Sequence, residues 1–338
     1  MLELLKKLCT LDGPSSFEDE VRDFIRARVE TAGCDAVEDA MGNLIVHKPG
    51  KPAKQKVMFA AHMDEVGFII TNITEQGYLK FAAVGGIDTR VIIGKRVTVG
   101  PNRLPGIIGI KAVHLVNREA RKVVPKPDEM YIDIGADNKE EAEKLVELGE
   151  YAVFDSAPVE FGDGMLKARA IDDRCGCMTM LRLIEEGPDV ESWYAFTVQE
   201  EVGTRGAGPV SFRVKPDTAI VLEGTAAGDI PEAPKHQKVC SPGKGAVLPF
   251  MDTAAIYPSE LFRELMDIAE KNGINSQIKE YVSGGTDSGA IQRATSGVRV
   301  ANISAAVRYI HSPSCVACIK DFEDIYRLAA EYLKGQVK

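Results

Sequence analysis

Two histidines and a set of carboxylates stand where strand-like segments of this 338-residue chain end. VMFAAHMDE carries His62, YAFTVQEE carries Glu200 and Glu201, TAIVLEG carries Glu223, and AAVRYIHS carries His311. Between them KARAIDDR carries Asp172 and Asp173. Imidazole and carboxylate are the usual ligands of hydrolytic divalent cations. Open α/β sheets place their ligands beyond the carboxyl ends of the strands. One such residue alone says little, since a lone His is more often a hydrogen-bonded structural group. Their coincidence at strand ends points to a site for two hydrolytic metal ions.

The neighbours of these residues suggest roles. Asp64 follows His62 by two positions, and a ligating imidazole usually donates its other N–H to a carboxylate. Glu200 and Glu201 are adjacent, so in an extended chain their side chains point to opposite sides. One can face a metal while the other faces an attacking water, as a general base does. Asp172 and Asp173 precede a predicted helix. A carboxylate there can bridge two cations, or simply complement the helix dipole. The run GGTDSG, with Thr286 and Asp287, reads as a loop that contacts the substrate amine or lines a specificity pocket. A turn closed by an Asx hydrogen bond fits it equally well.

These residues need a scaffold that brings strand ends together. Residues 1–66 read as α/β. Ser15 and Glu18 form a capping box ahead of a helix whose apolar face is Val21, Phe24, Ile25 and Val29. NLIVHK and KVMFAAH read as strands, the second apolar enough to be buried on both faces. Over residues 67–163 short β-like runs alternate with Gly and Pro, with one helix candidate at Lys139 to Leu148. From residue 164 to 338 the βα rhythm returns. Helices are expected from about Cys175 to Glu186, from Pro258 to Asn272, and from Asp321 to Lys334. The expectation is an α/β catalytic domain interrupted by an inserted β-rich domain.

Bulk properties exclude other classes. Hydrophobic residues make up 45% and charged residues 27%, ordinary for a soluble globular protein. A net charge of -9 argues against nucleic acid or an anionic membrane as partner. No apolar run reaches the roughly 20 residues of a membrane span, and the N-terminus lacks a signal-peptide pattern. The 7 cysteines, an odd number, fit a reducing cytoplasm. Cys175 with Cys177 and Cys315 with Cys318 could form a zinc clip, but positions i and i+2 of a helix point apart, so small buried hydrophobes fit better.

In order, the motifs AAHMDEVGF, KARAIDDR, VQEEVGTRGA, VLEGT, GGTDSG and RYIHS resemble the tetrahedral (TET), glutamyl or deblocking aminopeptidases, family forty-two of the metallopeptidases. The likeness runs over essentially the whole chain. It implies a zinc-peptidase-like three-layer α/β/α domain with a PDZ-like insert used in oligomerisation, as a dimer or a tetrahedral dodecamer. It implies two divalent metal ions, zinc or cobalt with manganese as an alternative, and peptides as substrates. Asp172 would bridge the metals, His62 and Glu223 would complete one, and Glu201 and His311 the other. Glu200 would be the general base, Asp64 would orient His62, and the Asp172–Asp173 peptide would be cis. Many members carry Asp where this chain has Glu223. Some bear the label cellulase or endoglucanase, which the metal-site chemistry does not support. Other readings weighed are a deacylase or carboxypeptidase that keeps the metals without requiring a free α-amine, a metal-free glycoside hydrolase, and a non-catalytic assembly protein.

Overall fold

A computed structural model describes residues 1–234 and 236–338. The strands are β1 (Asp35–Glu38), β2 (Leu44–Lys48), β3 (Val57–His62), β4 (Gly67–Ile73), β5 (Leu79–Val84), β6 (Arg96–Val99), β7 (Leu104–Ile110), β8 (Met130–Asp133) and β9 (Tyr151–Phe154). They continue with β10 (Val159–Phe161), β11 (Met165–Ala168), β12 (Ser192–Thr197), β13 (Thr218–Ala226), β14 (Ala246–Leu248), β15 (Ser276–Ile278), β16 (Arg299–Val307) and β17 (Cys315–Cys318). The helices are α1 (Leu2–Leu8), α2 (Asp19–Thr31), α3 (Lys139–Ala142), α4 (Ile171–Glu186), α5 (Ala207–Val214), α6 (Ser259–Lys271), α7 (Asp287–Gln292) and α8 (Ile319–Lys334).

An eight-stranded sheet, in the order β1-β2-β12-β3-β13-β16-β14-β15, forms the middle layer. Alternation along β3 sends Val57, Phe59 and Ala61 into one core, shared with α1, α2, α4, α6 and α8. Met58 and Ala60 enter a second core on the other face, shared with α5 and α7. Each fully buried large apolar side chain contributes about 1.5–3 kcal/mol. Register matters more here than the total. β12 and β13 flank β3 and run parallel to it, with Thr197 opposite His62 and Val221 opposite Ala60. Two residues further on, Glu223 draws level with His62. Glu223 lies inside β13 rather than at its end, since that strand runs on beside β16 to Ala226.

The insert closes on itself. β4 to β9 form a six-stranded barrel around Phe68, Ile70, Phe81, Ile108, Ile132 and Phe154. The barrel ends at Phe154. β10 pairs with β11 and β11 with β17 in a three-stranded sheet, so residues 159–161 pair with the second α/β segment rather than with the barrel. The helix expected from Lys139 to Leu148 is a single turn, α3, after which the chain bends so that Val146 enters the barrel core.

Two other expectations change. The capping box at Ser15 and Glu18 does not close: α2 starts at Asp19 with no side-chain cap. The Ser15 hydroxyl instead donates to the Asp64 carboxylate at 2.6 Å. All seven cysteines are free and buried. Cys177 donates to the His62 carbonyl, and burial pushes both the Cys175 and Cys177 thiols up, as suits packed thiols rather than zinc thiolates.

Phe68 packs edge-on against Phe81 and Phe154, at centroid separations of 5.1 and 5.3 Å. Phe68→Ala should cost about 3–5 kcal/mol of barrel stability. Urea unfolding followed in the variant should show its midpoint shifted to lower denaturant.

Candidate metal centre

Five stretches of chain converge at the ends of β3 and β12 and alongside β13. His62, the last residue of β3, is 2% exposed. Its Nε2 lies 3.3 Å from Glu223 Oε1 and 3.4 Å from Asp172 Oδ1. Its Nδ1 faces Asp64, 3.0 Å from the backbone carbonyl and 3.4 Å from Oδ1. Four residues beyond β16, His311 adopts a left-handed backbone (φ 57°) that turns its ring back over the sheet. Its Nε2 lies 3.2 Å from Glu201 Oε1 and 3.5 Å from Asp172 Oδ2. Its Nδ1 donates to the Gly86 carbonyl at 2.8 Å. Both rings are thus held through Nδ1 and present Nε2 to the centre, the arrangement of a ligating histidine.

Asp172 stands between them. One oxygen faces His62 and the other His311. The Asp172–Asp173 peptide is cis, and neither residue has helical backbone angles although both fall within α4. Regular helix therefore begins where the sequence places it, after the two aspartates. Asp173 also lies within metal-ligand distance of His62 and Glu223. Its Oδ1, however, accepts from the Gly176 amide at 2.9 Å, which commits that oxygen to the start of α4. A second group, His62, Asp172 and Glu201, spans the centre.

Buried charge dominates the electrostatics. Burial would lower the His62 pKa, but Glu223, Asp172 and Asp64 outweigh it and hold the ring well above its usual range. Burial opposes and Asp172 and Glu201 favour the charged form of His311, which is raised to about 11. Burial raises Asp172, yet hydrogen bonds from His311 and His62 win and hold it low. Burial pushes Glu200 well up, and so does Glu223's, where the Asp172 charge adds to the effect. Glu201 Oε1 and Glu223 Oε2 are buried without a hydrogen-bond partner. The 3.2 Å separation of Glu201 Oε1 from His311 is close but not aligned for a hydrogen bond. Orphaned buried carboxylate oxygens are costly unless a cation meets them. Two imidazole nitrogens and three carboxylates around those oxygens fit divalent metal ions.

Asp64 does more than the sequence suggests. Its two oxygens accept from the Glu200 and Glu201 amides at 2.9 and 3.1 Å. The Gly86 carbonyl was not foreseen either, since a backbone acceptor leaves no side-chain signature. Thr286 and Asp287 are placed by the start of α7. Thr286 caps α7 by accepting from the Ser288 amide, and Asp287, 1% exposed, accepts from the Thr197 hydroxyl at 2.6 Å. Packing of α7 against β3, β13 and β16 buries Asp287 near Glu200.

The family model described as M42 glutamyl aminopeptidase matches residues 42–328. The chain belongs to the M42 peptidase family. It is a peptide hydrolase, as the motif order implied. A putative aminopeptidase of Acetivibrio thermocellus is 37% identical over 98% of both chains. A TET aminopeptidase from a marine-sediment thaumarchaeote superposes with a TM-score of 0.94 at 34% identity, covering 98% of this chain and 95% of that one. The TET1 peptidase of Pyrococcus horikoshii, described as assembling into a tetrahedron or an octahedral shell, gives 0.85 at 35% identity, covering 98% and 99%. A Thermotoga maritima structure labelled endoglucanase is similar at 0.82 and 33%, covering 98% and 97%. The M42 membership agrees with the peptidase reading and not with that label. Among the described residues no helix is long and apolar enough to cross a membrane.

Because both imidazoles are held protonated in metal-free protein, their ion pairs stabilise it below the ordinary imidazole pKa of about 6.5. For His311 that contribution is lost as pH rises through about 11. Metal ligation requires neutral rings, so binding must expel protons at neutral pH. Calorimetric titration with Zn²⁺ in buffers of different ionisation enthalpy should register net proton release, and apparent affinity should fall as pH falls.

Proposed function

We propose that the chain is a co-catalytic two-metal aminopeptidase that removes single residues from the N-terminus of peptides. The observation that carries this reading is Asp172, whose two oxygens face separate imidazoles in a buried nest of carboxylates. His62, Glu223 and one Asp172 oxygen would hold one divalent cation; Glu201, His311 and the other oxygen would hold the second. Zinc or cobalt suits this donor set, with manganese as an alternative. Such ions supply Lewis-acid polarisation of the scissile carbonyl and acidify water.

The chain's own groups handle the protons. Glu200 takes the proton from the attacking water and returns it to the departing amine. Burial holds its carboxyl well above the ordinary glutamate range, which makes it a stronger proton acceptor than a free glutamate. Asp64, through Nδ1 of His62 and the amides of Glu200 and Glu201, keeps ligand and base in one geometry. A carboxyl group spared from ligation and placed beside the nest is what a general base requires.

Self-association is part of the proposal, as a dimer or a tetrahedral dodecamer. The segment after β7 leaves Val113, Leu115 and Val123 exposed by 66%, 59% and 68% on the barrel. Apolar groups clustered on a surface mark protein contacts.

Glu200→Ala should reduce kcat by about 100- to 10,000-fold on an aminoacyl p-nitroanilide while metal content measured by plasma spectrometry stays full. Near-normal turnover would remove Glu200 from the mechanism. Light scattering on Leu115→Glu should show a smaller assembly than the unmodified protein forms.

A further inference from the structure

At the end of β12 the chain leaves the sheet, and its next four amides find no strand partner. Each is taken by a side chain from elsewhere. The Val198 amide donates to Asn43 Oδ1 at 3.0 Å and the Gln199 amide to Glu18 Oε1 at 3.1 Å. The Glu200 and Glu201 amides donate to the two oxygens of Asp64. Asn43, Glu18 and Asp64 are buried, at 0%, 3% and 0% exposure. Gln199 sits in left-handed backbone (φ 56°), a strained conformation for a residue with a side chain. Something outside the segment must hold it there.

The segment before α2 supplies that hold. Glu18 Oε1 also accepts from the Ser16 amide at 2.9 Å, and Ser16 is itself left-handed (φ 75°). The Ser15 hydroxyl donates to the same Asp64 oxygen that receives the Glu201 amide. Ser15 and Glu18 are thus the two halves of a capping box that caps nothing. Their polar atoms face the strand end that carries the base.

We infer that Glu18 and Ser15 are positioning residues for the Glu200–Glu201 pair, Glu18 through the Gln199 amide and Ser15 through Asp64. Neither reaches the nest itself. Glu18 fixes the left-handed turn that aims two adjacent carboxylates to different tasks, and Ser15 fixes the carboxylate that holds their amides. Nothing in this role requires Glu18 to be charged; it requires an oxygen acceptor at Oε1.

The inference rests on the reading of Glu200 as the base, and its test has one arm that does not. In full-length protein, Glu18→Ala should lower kcat about 10- to 100-fold, the range for residues that support a metal site from outside it, with KM and metal content unchanged. Glu18→Gln keeps the acceptor and should recover most of the loss. Ser15→Ala should lower kcat less than Glu18→Ala. Amide hydrogen exchange should quicken across residues 198–201 in Glu18→Ala and stay slow in Glu18→Gln. Unchanged exchange and kcat in Glu18→Ala, or a Glu18→Gln variant no better than Glu18→Ala, would overturn the inference. Faster exchange with unchanged kcat would keep the hold on the turn but overturn its catalytic role. If Glu200→Ala itself proves active, the base assignment falls, while exchange still reports whether the turn is held from Glu18.

Discussion

A concentration of carboxyl groups, buried where β3 and β12 end beside the parallel strand β13, is the constraint on which the rest of the molecule depends. Asp64, Asp172, Asp173, Glu201, Glu223 and Asp287 are drawn around two imidazoles, most of them almost fully buried. Carboxylates do not crowd together in a low-dielectric interior unless cations or hydrogen-bond donors compensate them. Imidazoles answer part of the charge, and backbone amides of Gly224, Glu200 and Glu201 answer more. Four carboxylate oxygens of this set, Asp173 Oδ2, Glu201 Oε1, Glu223 Oε2 and Asp287 Oδ1, remain unanswered. Divalent cations would complete that charge balance, which would tie folding energy to metal binding.

The inserted barrel takes part in this balance through one carbonyl. Gly86, in the loop after β5, accepts from His311 and so sets which ring nitrogen faces the centre. The barrel is therefore coupled to His311, even though its core is separate from the α/β cores. If the barrel is the proposed self-association surface, its contact with His311 would make assembly and site geometry depend on one another.

Much of the site was legible in the sequence because its residues sit at places where pattern is strong. His62 ends an apolar run that could only be a central strand, and Glu200 with Glu201 follows another. The six motifs fixed the family before any coordinate. What escaped has a common physical origin. The Gly86 carbonyl and the clamped amides of residues 198–201 belong to the backbone, which every residue shares, so no residue type announces them. Ser15 and Glu18 were visible as a pair, yet the spacing of a capping box is also the spacing of two groups pointing across to a neighbouring strand end. For Asp287 the glycine-rich GGTDSG left substrate contact and a plain turn equally open; its burial follows from packing of α7 on the sheet, which no local pattern shows. Glu223 looked like a strand end because register with β16 cannot be read from one strand alone.

The central claim is that Asp172 is shared between two cations. Anomalous diffraction from crystals grown with zinc, recorded on both sides of its absorption edge, tests it most directly. The account predicts two peaks per chain, one among His62, Asp172 and Glu223 and one among Asp172, Glu201 and His311. A single peak, or a pair in which Asp173 rather than Asp172 is the common ligand, would contradict it.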